Sequence, residues 1–252
     1  MCANYVPVTS QDRLLQYFGV VRDRDEVPHD VFPMGMGPFI RLVPKTGSTD
    51  QSGKAGSPGE MTRVVEDGIF RFVPDFVQKL DWARKTYNAR SETVHEKSSY
   101  KRAWADGQRC IIPAEAIYEP NYESGSPVRW RIHKANGEPM GIAGIYRTWT
   151  KPDGEVVYAM SMLTVNADEH PFMRRFHAPN DEKRMVVILE QADFDGWLNC
   201  AVAEARDRYC KAWDGELTGE PAPLPKRKSA PKSAKAKTEE PPADWGPTGD
   251  LF

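Results

Sequence analysis

Apolar and polar positions alternate through the middle of the chain with the period of two that is typical of β-strands. Val128–His133 is the clearest case, and an Asn-Gly turn connects it to the apolar run MGIAGIYRTW. A second turn, KPDGE, leads to VVYAMSMLT. We interpret this series as an antiparallel meander. The apolar runs Arg109–Pro113 and Arg184–Leu189 predict further, more buried strands.

Short helices are predicted between and after these strands. The segments are Gln11–Phe18, Asp75–Lys85, Ser98–Ala105 and Gln191–Asn199. Short helices beside many strands indicate an α+β fold with a curved antiparallel sheet or open barrel.

Two segments lack the apolar residues that a core requires. Residues 44–60, rich in Gly, Ser and charged residues, predict a mobile loop within a domain that spans residues 1–214. Residues 215–252 are rich in Pro, Lys, Ala and Glu and predict a disordered tail, because burial there cannot offset the entropy of ordering.

Charge limits the function classes. The chain has a net charge of −2, although six basic and no acidic residues lie in 226–237. The rest of the chain is therefore acidic and is not a general polyanion binder. Any nucleic-acid contact must come from a local basic cluster or from the tail. With no long apolar run and no secretory signal, we expect a cytoplasmic protein without a membrane partner.

Four cysteines without a C-x-x-C pair argue against a disulfide framework and a zinc site, so we predict no metal and no cofactor. Cys110 lies in an apolar run and is expected to be buried. Cys2 differs, because loss of Met1 would leave a 1,2-aminothiol. Such a group condenses with an aldehyde to an imine, and its thiol can then close a five-membered thiazolidine. The alternative is an incidental small residue at position 2.

Three further segments carry candidate chemistry. In YNARSETV, Asn88, Arg90 and Glu92 would share one face of an extended strand, although a solvated face has the same pattern. Glu119 follows an apolar run that would raise its pKa and suit it to general acid catalysis, unless it lies in an exposed loop. His177, which precedes a strand, is a candidate for proton transfer because an imidazole can both gain and lose a proton, with His170 as a rival.

Cys2, NARSET, the segment from Arg109 to Glu119, IAGIY, SMLTVNA and the final His…RMVVIL together resemble the SOS response-associated peptidase (SRAP) family, in order across residues 1–200. The resemblance implies a cleft that binds single-stranded DNA, and capture of abasic sites as a thiazolidine on Cys2. It also implies that Asn88 orients Cys2, Arg90 holds a phosphate, Glu119 assists ring opening or imine formation, and His177 shuttles protons.

This sequence departs from the family pattern at several points. Phe70 in FRFVP replaces the usual tryptophan, Pro120 replaces the tryptophan of YEW, and residues 178–183, APNDEK, separate His177 from Arg184. Around these motifs we predict a basic DNA groove. Its predicted contacts are Phe70, Arg84, Lys85, Arg90, Arg174, Arg175 and Arg184, with Lys183 beside them.

The sequence leaves two alternative functions open. The chain could be a cysteine hydrolase that uses Cys2 as an N-terminal nucleophile, or a noncatalytic DNA-binding module whose basic tail supplies the affinity. The terminal GDLF suggests a further partner, the bacterial sliding clamp, contacted through Leu251 and Phe252. For a DNA-binding protein of this kind we also expect association with the nucleoid.

Overall fold

Eleven β-strands form one sheet in the described part of the computed structural model, which comprises residues 2, 4–23, 29–45, 60–74, 86–151 and 153–225. The strands are Asn4–Pro7 (β1), Met36–Pro44 (β2), Met61–Phe70 (β3), Asn88–Arg90 (β4), Arg109–Asn121 (β5), Val128–Lys134 (β6), Met140–Thr150 (β7), Val156–Asn166 (β8), Arg184–Val186 (β9), Ile188–Leu189 (β10) and Leu217–Pro221 (β11).

Short helices flank this sheet. The α-helices are Gln11–Arg13 (α1), Lys101–Ala105 (α2), Phe194–Asn199 (α3) and Val202–Tyr209 (α4). Leu14–Phe18 continues α1 as a π-helical turn, and Met173–Arg175 and Gln191–Asp193 are 3₁₀ turns.

Five strands close into a barrel in the order β2, β3, β8, β7, β5 and back to β2. Closure depends on the 13-residue strand β5, which pairs with both β2 and β7. The barrel pairings are antiparallel except for β3 with β8. The α+β fold with a curved, mostly antiparallel sheet is therefore confirmed, and the barrel is closed.

Strand β5 changes partners along its length, and this change creates the site region. Its first half pairs with β7, while residues 117–121 pair with β6. The short strand β1 covers the second half from the other edge, with Asn4 opposite Tyr118. The end of β5 is thus enclosed by strands on both sides, so polar side chains there are withdrawn from water.

The three strands predicted for the meander are present as β6, β7 and β8, but the meander itself is wrong at its first hairpin. Strand β7 pairs with β8, whereas β6 pairs with β5 and β11 and not with β7, because the long strand β5 binds β7 with its first half and β6 with its second. The turns after β6 and β7 place Gly137 and Gly154 at φ +75° and +89°, in the left-handed region that glycine adopts without strain. The segments predicted as helical at 11–18 and 191–199 are helical turns, and the helix predicted at 98–105 is shorter. The helix predicted at 75–85 lies outside the described residues.

The predicted boundary after residue 214 is wrong, because Leu217–Pro221 forms β11 on the edge of β6. Edge pairing uses backbone hydrogen bonds and needs few apolar side chains, so the composition of this segment concealed it. Residues 46–59, most of the predicted loop, and residues 226–252, with Leu251 and Phe252, lie outside the described residues. No described helix has the length and apolar character needed to cross a membrane.

Candidate active site

Cys2 lies against the enclosed end of β5. The pairing of β1 with β5 fixes its position two residues before Asn4, and its side chain is buried at 1% exposure. Its thiol donates to the Asn4 carbonyl oxygen, with 3.3 Å between sulfur and oxygen. The Asn88 side-chain Nδ2 donates to the Cys2 carbonyl oxygen at 2.7 Å. Cys2 is therefore held by its backbone and its side chain.

Asn88 is buried on β4, which runs parallel to β8. The Tyr100 hydroxyl donates to the Asn88 backbone oxygen at 3.1 Å, and this bond fixes the strand at that point. Among the described residues, the Asn88 Oδ1 atom has no hydrogen-bond partner. A buried acceptor next to the Cys2 backbone can thus receive an N–H group from Cys2 or from a bound molecule.

Glu119 lies on β5, one residue after the partner of Asn4, and is 1% exposed. Burial raises the pKa of its carboxyl from the ordinary value of 4.5, while the positive charges of the amino terminus and of His177 oppose this rise. The negative charge of Glu119 also acts on Cys2. The two side chains therefore belong to one electrostatically coupled cluster.

His177 completes this buried cluster. Its Nε2 lies 2.9 Å from the Arg184 carbonyl oxygen, and its Nδ1 lies 3.5 Å from the Glu119 Oε2 atom. Because a carbonyl oxygen only accepts, we assign the proton to Nε2. Nδ1 then faces the Glu119 carboxyl, so one proton can be shared between imidazole and carboxyl. This geometry suits proton transfer.

The backbone of His177 is strained and held from both ends. Its φ is +66°, a conformation uncommon for a residue with a side chain. Its N–H donates to the Pro120 carbonyl oxygen at 2.9 Å, and its carbonyl oxygen accepts from the Lys183 Nζ at 3.3 Å. Lys183 also donates to the Ala178 carbonyl oxygen at 2.6 Å. The six residues after His177 therefore close into a loop that fixes the imidazole.

Burial raises the pKa of the Cys2 thiol to about 12, with the negative charge of Glu119 as the second cause. The thiol is therefore protonated near neutrality. Bond formation at sulfur then requires a neighbouring group to take its proton, and the coupled Glu119 is placed for that step.

The rim of the site holds an ion-pair network between NARSET and the loop after His177. Arg90 Nη1 lies 2.6 Å from one oxygen of Glu182, and Arg184 Nη1 lies 2.7 Å from the other. Both terminal nitrogens of Arg184 also bind Glu92, at 2.9 and 2.8 Å. The network ties the two sequence motifs together.

The extended conformation predicted for NARSETV is wrong beyond Arg90, because β4 ends there and the chain turns. Asn88 is buried whereas Arg90 and Glu92 are exposed, so the three do not share a face. The three residues have different partners. Asn88 binds Cys2, Arg90 binds Glu182 in the loop after His177, and Glu92 binds Arg184 at the start of β9.

Two predicted DNA contacts are contradicted by burial. Phe70 is fully buried and packs edge-on against Tyr5, with ring centroids 5.1 Å apart, so it belongs to the core. The Arg184 side chain is 3% exposed, and besides the two carboxylates it donates to the Thr164 carbonyl oxygen at 2.7 Å. Arg184 therefore positions its neighbours and does not reach solvent.

The other predicted cations differ in availability. Arg174 is exposed, and Arg175 is partly exposed but paired with Glu123 at 2.8 Å. Arg84 and Lys85 lie outside the described residues. Carboxylates thus compensate part of the predicted basic groove.

Sequence reasoning also missed an exposed apolar tip. Phe32 and Met34 are 43% and 47% exposed, and the Met34 N–H donates to the Phe70 carbonyl oxygen at 3.2 Å. The preceding Asp30 pairs with Arg129 at 2.8 Å and receives a bond from the Tyr118 hydroxyl at 3.4 Å. An exposed aromatic next to the bridge between Val31 and Tyr5 of β1 is a surface on which a base can stack. The segment VFPMGMGPF is apolar throughout, so the sequence does not distinguish the exposed Phe32 from the buried Phe39.

The chain matches known proteins over almost all of its described part. The family model "SOS response associated peptidase (SRAP)" matches residues 1–220. "Abasic site processing protein YoqW" of Bacillus subtilis is 25% identical over 201 residues, which is 79% of this chain and 80% of that protein. "Abasic site processing protein HMCES" of Gallus gallus is 31% identical over 169 residues, which is 58% of this chain and 48% of that protein.

Solved structures agree with this match. A crystal structure of a Bordetella bronchiseptica protein aligns with a TM-score of 0.75 and 35% identity, over 88% of this chain and all of that chain. A Bacteroides thetaiotaomicron protein aligns with a TM-score of 0.66 over 86% of this chain and 90% of that chain, and at 19% identity it supports the fold alone.

Proposed function

The chain belongs to the SOS response-associated peptidase family, and from this premise we propose that it captures abasic sites in single-stranded DNA as a covalent thiazolidine on Cys2. The observation that carries the proposal is the buried cluster. The Cys2 carbonyl is bound by Asn88, and the Cys2 thiol is coupled to Glu119, which faces His177. The described residues therefore combine a nucleophile with a proton relay.

The reaction requires that Met1 is removed, so that Cys2 carries a free amine. The amine adds to the aldehyde of the ring-opened abasic sugar and loses one water to give an imine. The thiol then adds across the C=N bond, so that a C–S bond forms and the proton from sulfur ends on nitrogen. The product is a five-membered ring that retains every atom except the expelled water.

The protonated thiol explains why the cluster contains a carboxyl and an imidazole. With a pKa of about 12, the Cys2 thiol must lose its proton as the C–S bond forms. Glu119 receives that proton and exchanges it with Nδ1 of His177. The unpartnered Oδ1 of Asn88 accepts an N–H of the Cys2 amine and directs the nitrogen lone pair to the sugar carbon.

Single-stranded DNA is the substrate that suits the rim. The exposed Arg90 and Arg174 supply cations for phosphates, and Phe32 offers a stacking surface. An abasic sugar in a single strand need not be extracted from a duplex before it reaches a buried cysteine. A role in the DNA damage (SOS) response and association with the nucleoid follow as part of the proposal. The contact of Leu251 and Phe252 with the sliding clamp stays a prediction.

The test is to incubate the purified full chain with a single-stranded oligonucleotide that bears one abasic site. We expect a product that survives denaturation, with the mass of the Met1-free protein plus the oligonucleotide minus one water. A tetrahydrofuran analogue, which has no aldehyde, should give no such product. Cys2→Ala should give no ring, and Cys2→Ser at most a reversible imine or a less stable ring.

Two outcomes would contradict the proposal. An active protein that retains Met1, or a Cys2→Ala variant that forms the same stable product, would exclude the aminothiol mechanism. Hydrolysis of peptide or amide substrates without any DNA conjugate would instead favour an N-terminal-nucleophile hydrolase, whose activity would include self-catalysed removal of Met1. Unchanged behaviour of Cys2→Ala together with loss of DNA binding on deleting residues 226–237 would indicate a noncatalytic binding module.

A further inference from the structure

Glu182 binds the guanidinium of Arg90, the residue to which the proposed function gives a DNA phosphate. One carboxylate oxygen of Glu182 contacts Arg90 Nη1 at 2.6 Å, and the other contacts Arg184 Nη1 at 2.7 Å. Two anionic oxygens shared between two guanidinium groups resemble the arrangement that a phosphodiester adopts on paired arginines. In this structure a side chain of the protein itself takes that arrangement.

Glu182 can leave Arg90 without exposing an uncompensated charge inside the protein. Arg184 keeps two bonds to Glu92, at 2.9 and 2.8 Å, and bonds to Thr164, when Glu182 moves away. The side chains of Arg90 and Glu182 are 50% and 34% exposed, so both reach solvent. The interaction of Arg90 with Glu182 is therefore the part of the network that an incoming phosphate can replace.

The loop that carries Glu182 is fixed, so exchange needs only a side-chain rotation. The Lys183 N–H donates to Asp168 Oδ1 at 2.8 Å, and the Lys183 Nζ binds the carbonyl oxygens of His177 and Ala178. Residues 178–183 are also the segment that separates this sequence from the family pattern. The same segment thus holds the proposed proton shuttle and supplies the carboxylate on Arg90.

We propose that Glu182 is an affinity-determining residue that competes with a DNA phosphate for Arg90 and so weakens the binding of intact single strands. The inference rests on the proposed function and deepens it. A competitor for Arg90 at the rim lowers the fraction of the protein that is occupied by undamaged strands. Covalent capture is not lost, because it does not depend on long residence of intact DNA. An abasic strand is retained because the covalent bond forms once it has entered.

The test compares Glu182→Gln with Glu155→Gln in the full chain. Glutamine keeps an oxygen that can accept from Arg184 and removes the charge. Glu155, paired with Lys151 at 2.5 Å near the β7–β8 turn, is a matched control for charge removal. The dissociation constant for an intact fluorescent single-stranded oligonucleotide is measured by anisotropy at several salt concentrations. For Glu182→Gln we expect binding about five-fold tighter at low salt, with a smaller gain at high salt. Glu155→Gln should show little gain.

A double-mutant cycle with Arg90→Gln makes the test specific. If Glu182 acts through Arg90, its replacement in the Arg90→Gln background has no further effect on affinity. Equal affinities of Glu182→Gln and Glu155→Gln, or a Glu182 effect that persists without Arg90, would overturn the inference. The abasic-site conjugation assay is separate: no stable conjugate from the wild-type chain would refute the proposed function, whereas the cycle reports on the competition alone.

Discussion

The buried cluster and the charged rim of the site hold their polar groups in different ways. In the cluster, Cys2, Glu119 and His177 are each less than 10% exposed and are positioned by backbone hydrogen bonds and strand pairing. At the rim, Arg90 and Glu182 reach solvent and are positioned by each other. The groups of the cluster are therefore fixed and withdrawn from water, whereas the side chains of the rim are open to an external charge.

The difference shows how charge should be interpreted in such a site. The arginines near the motifs would make a strongly basic surface if each were exposed and unpaired. They are Arg90, Arg174, Arg175 and Arg184. Arg184 is instead buried among carboxylates, and Arg175 and Arg90 pair with Glu123 and Glu182. A cation near a motif can contact a DNA phosphate only if its side chain is exposed and can give up its carboxylate partner.

The largest effect is expected inside the cluster. Replacing Glu119 by Gln removes the proposed acceptor of the thiol proton, and the rate of conjugation to abasic single-stranded DNA should fall by about 10²–10⁴-fold. The rate is followed by denaturing electrophoresis at fixed time points. Binding of an intact oligonucleotide should change little, since Glu119 is buried away from the rim. A variant with the wild-type rate would show that the cluster is structural.

The second test concerns Phe70, which the sequence assigned to DNA and the structure assigns to the core. Phe70→Ala removes a fully buried ring in contact with Tyr5 and Tyr87. We expect the free energy of unfolding to drop by about 3–5 kcal/mol, measured by urea denaturation. For comparison, Phe32→Ala at the exposed tip should leave stability within about 0.5 kcal/mol and weaken DNA binding. Unchanged stability of Phe70→Ala would contradict the assignment.

The two paired arginines offer a matched comparison of buried and exposed ion pairs. Arg184→Met removes a buried guanidinium group that donates to Glu92, Glu182 and the Thr164 carbonyl oxygen, and should cost about 1.5–3 kcal/mol of unfolding free energy. Arg175→Met breaks a partly exposed pair with Glu123 and should cost less than about 1 kcal/mol. Both values come from urea denaturation. Similar losses of unfolding free energy for Arg184→Met and Arg175→Met would mean that burial does not determine how much each ion pair stabilises the protein.

Lys183→Met tests how the loop positions His177. Without the ammonium group, the carbonyl oxygens of His177 and Ala178 lose a shared donor, and the strained backbone at φ +66° is less constrained. We expect the conjugation rate to fall by about ten-fold while the unfolding free energy changes by about 1 kcal/mol. The pH profile of conjugation should broaden or shift, because the contact between His177 and Glu119 loosens. Lys183→Arg, which restores a donor, should recover part of the rate.

The sequence predicted those parts of the molecule that depend on local pattern. Alternation, one Asn-Gly turn and one Asp-Gly turn were enough for the strands β6, β7 and β8 and for the β7–β8 hairpin, but not for the pairing of β6 with β5. The matched motifs singled out Cys2, Asn88, Glu119 and His177, which the structure brings to one place. Barrel closure depends on β5 pairing with two strands far apart in sequence, and no local pattern encodes that. Burial of Phe70 and Arg184 likewise depends on neighbours such as Tyr5 and Thr164 that are distant along the chain. The ion pair between Arg90 and Glu182 depends on a loop conformation that spacing does not reveal.

The smallest expected effect is on the pH dependence of stability, which has opposite signs for one buried and one exposed carboxylate. Burial raises the pKa of Glu119, so the folded state takes up a proton and its stability falls as the pH rises from 4.5 through the raised pKa. The unfolding temperature of Glu119→Gln relative to wild type should therefore increase with pH across that interval.

Hydrogen bonds, first from Arg175 and then from Asn121, lower the pKa of Glu123 to about 2. Its contribution is present above 4.5 and is lost as the pH falls towards 2, so the deficit of Glu123→Gln should disappear in acid. Melting curves between about pH 2 and pH 8 measure both trends. Parallel curves for the two variants would refute the assignment of Glu119 to the buried cluster and of Glu123 to an exposed ion pair with Arg175.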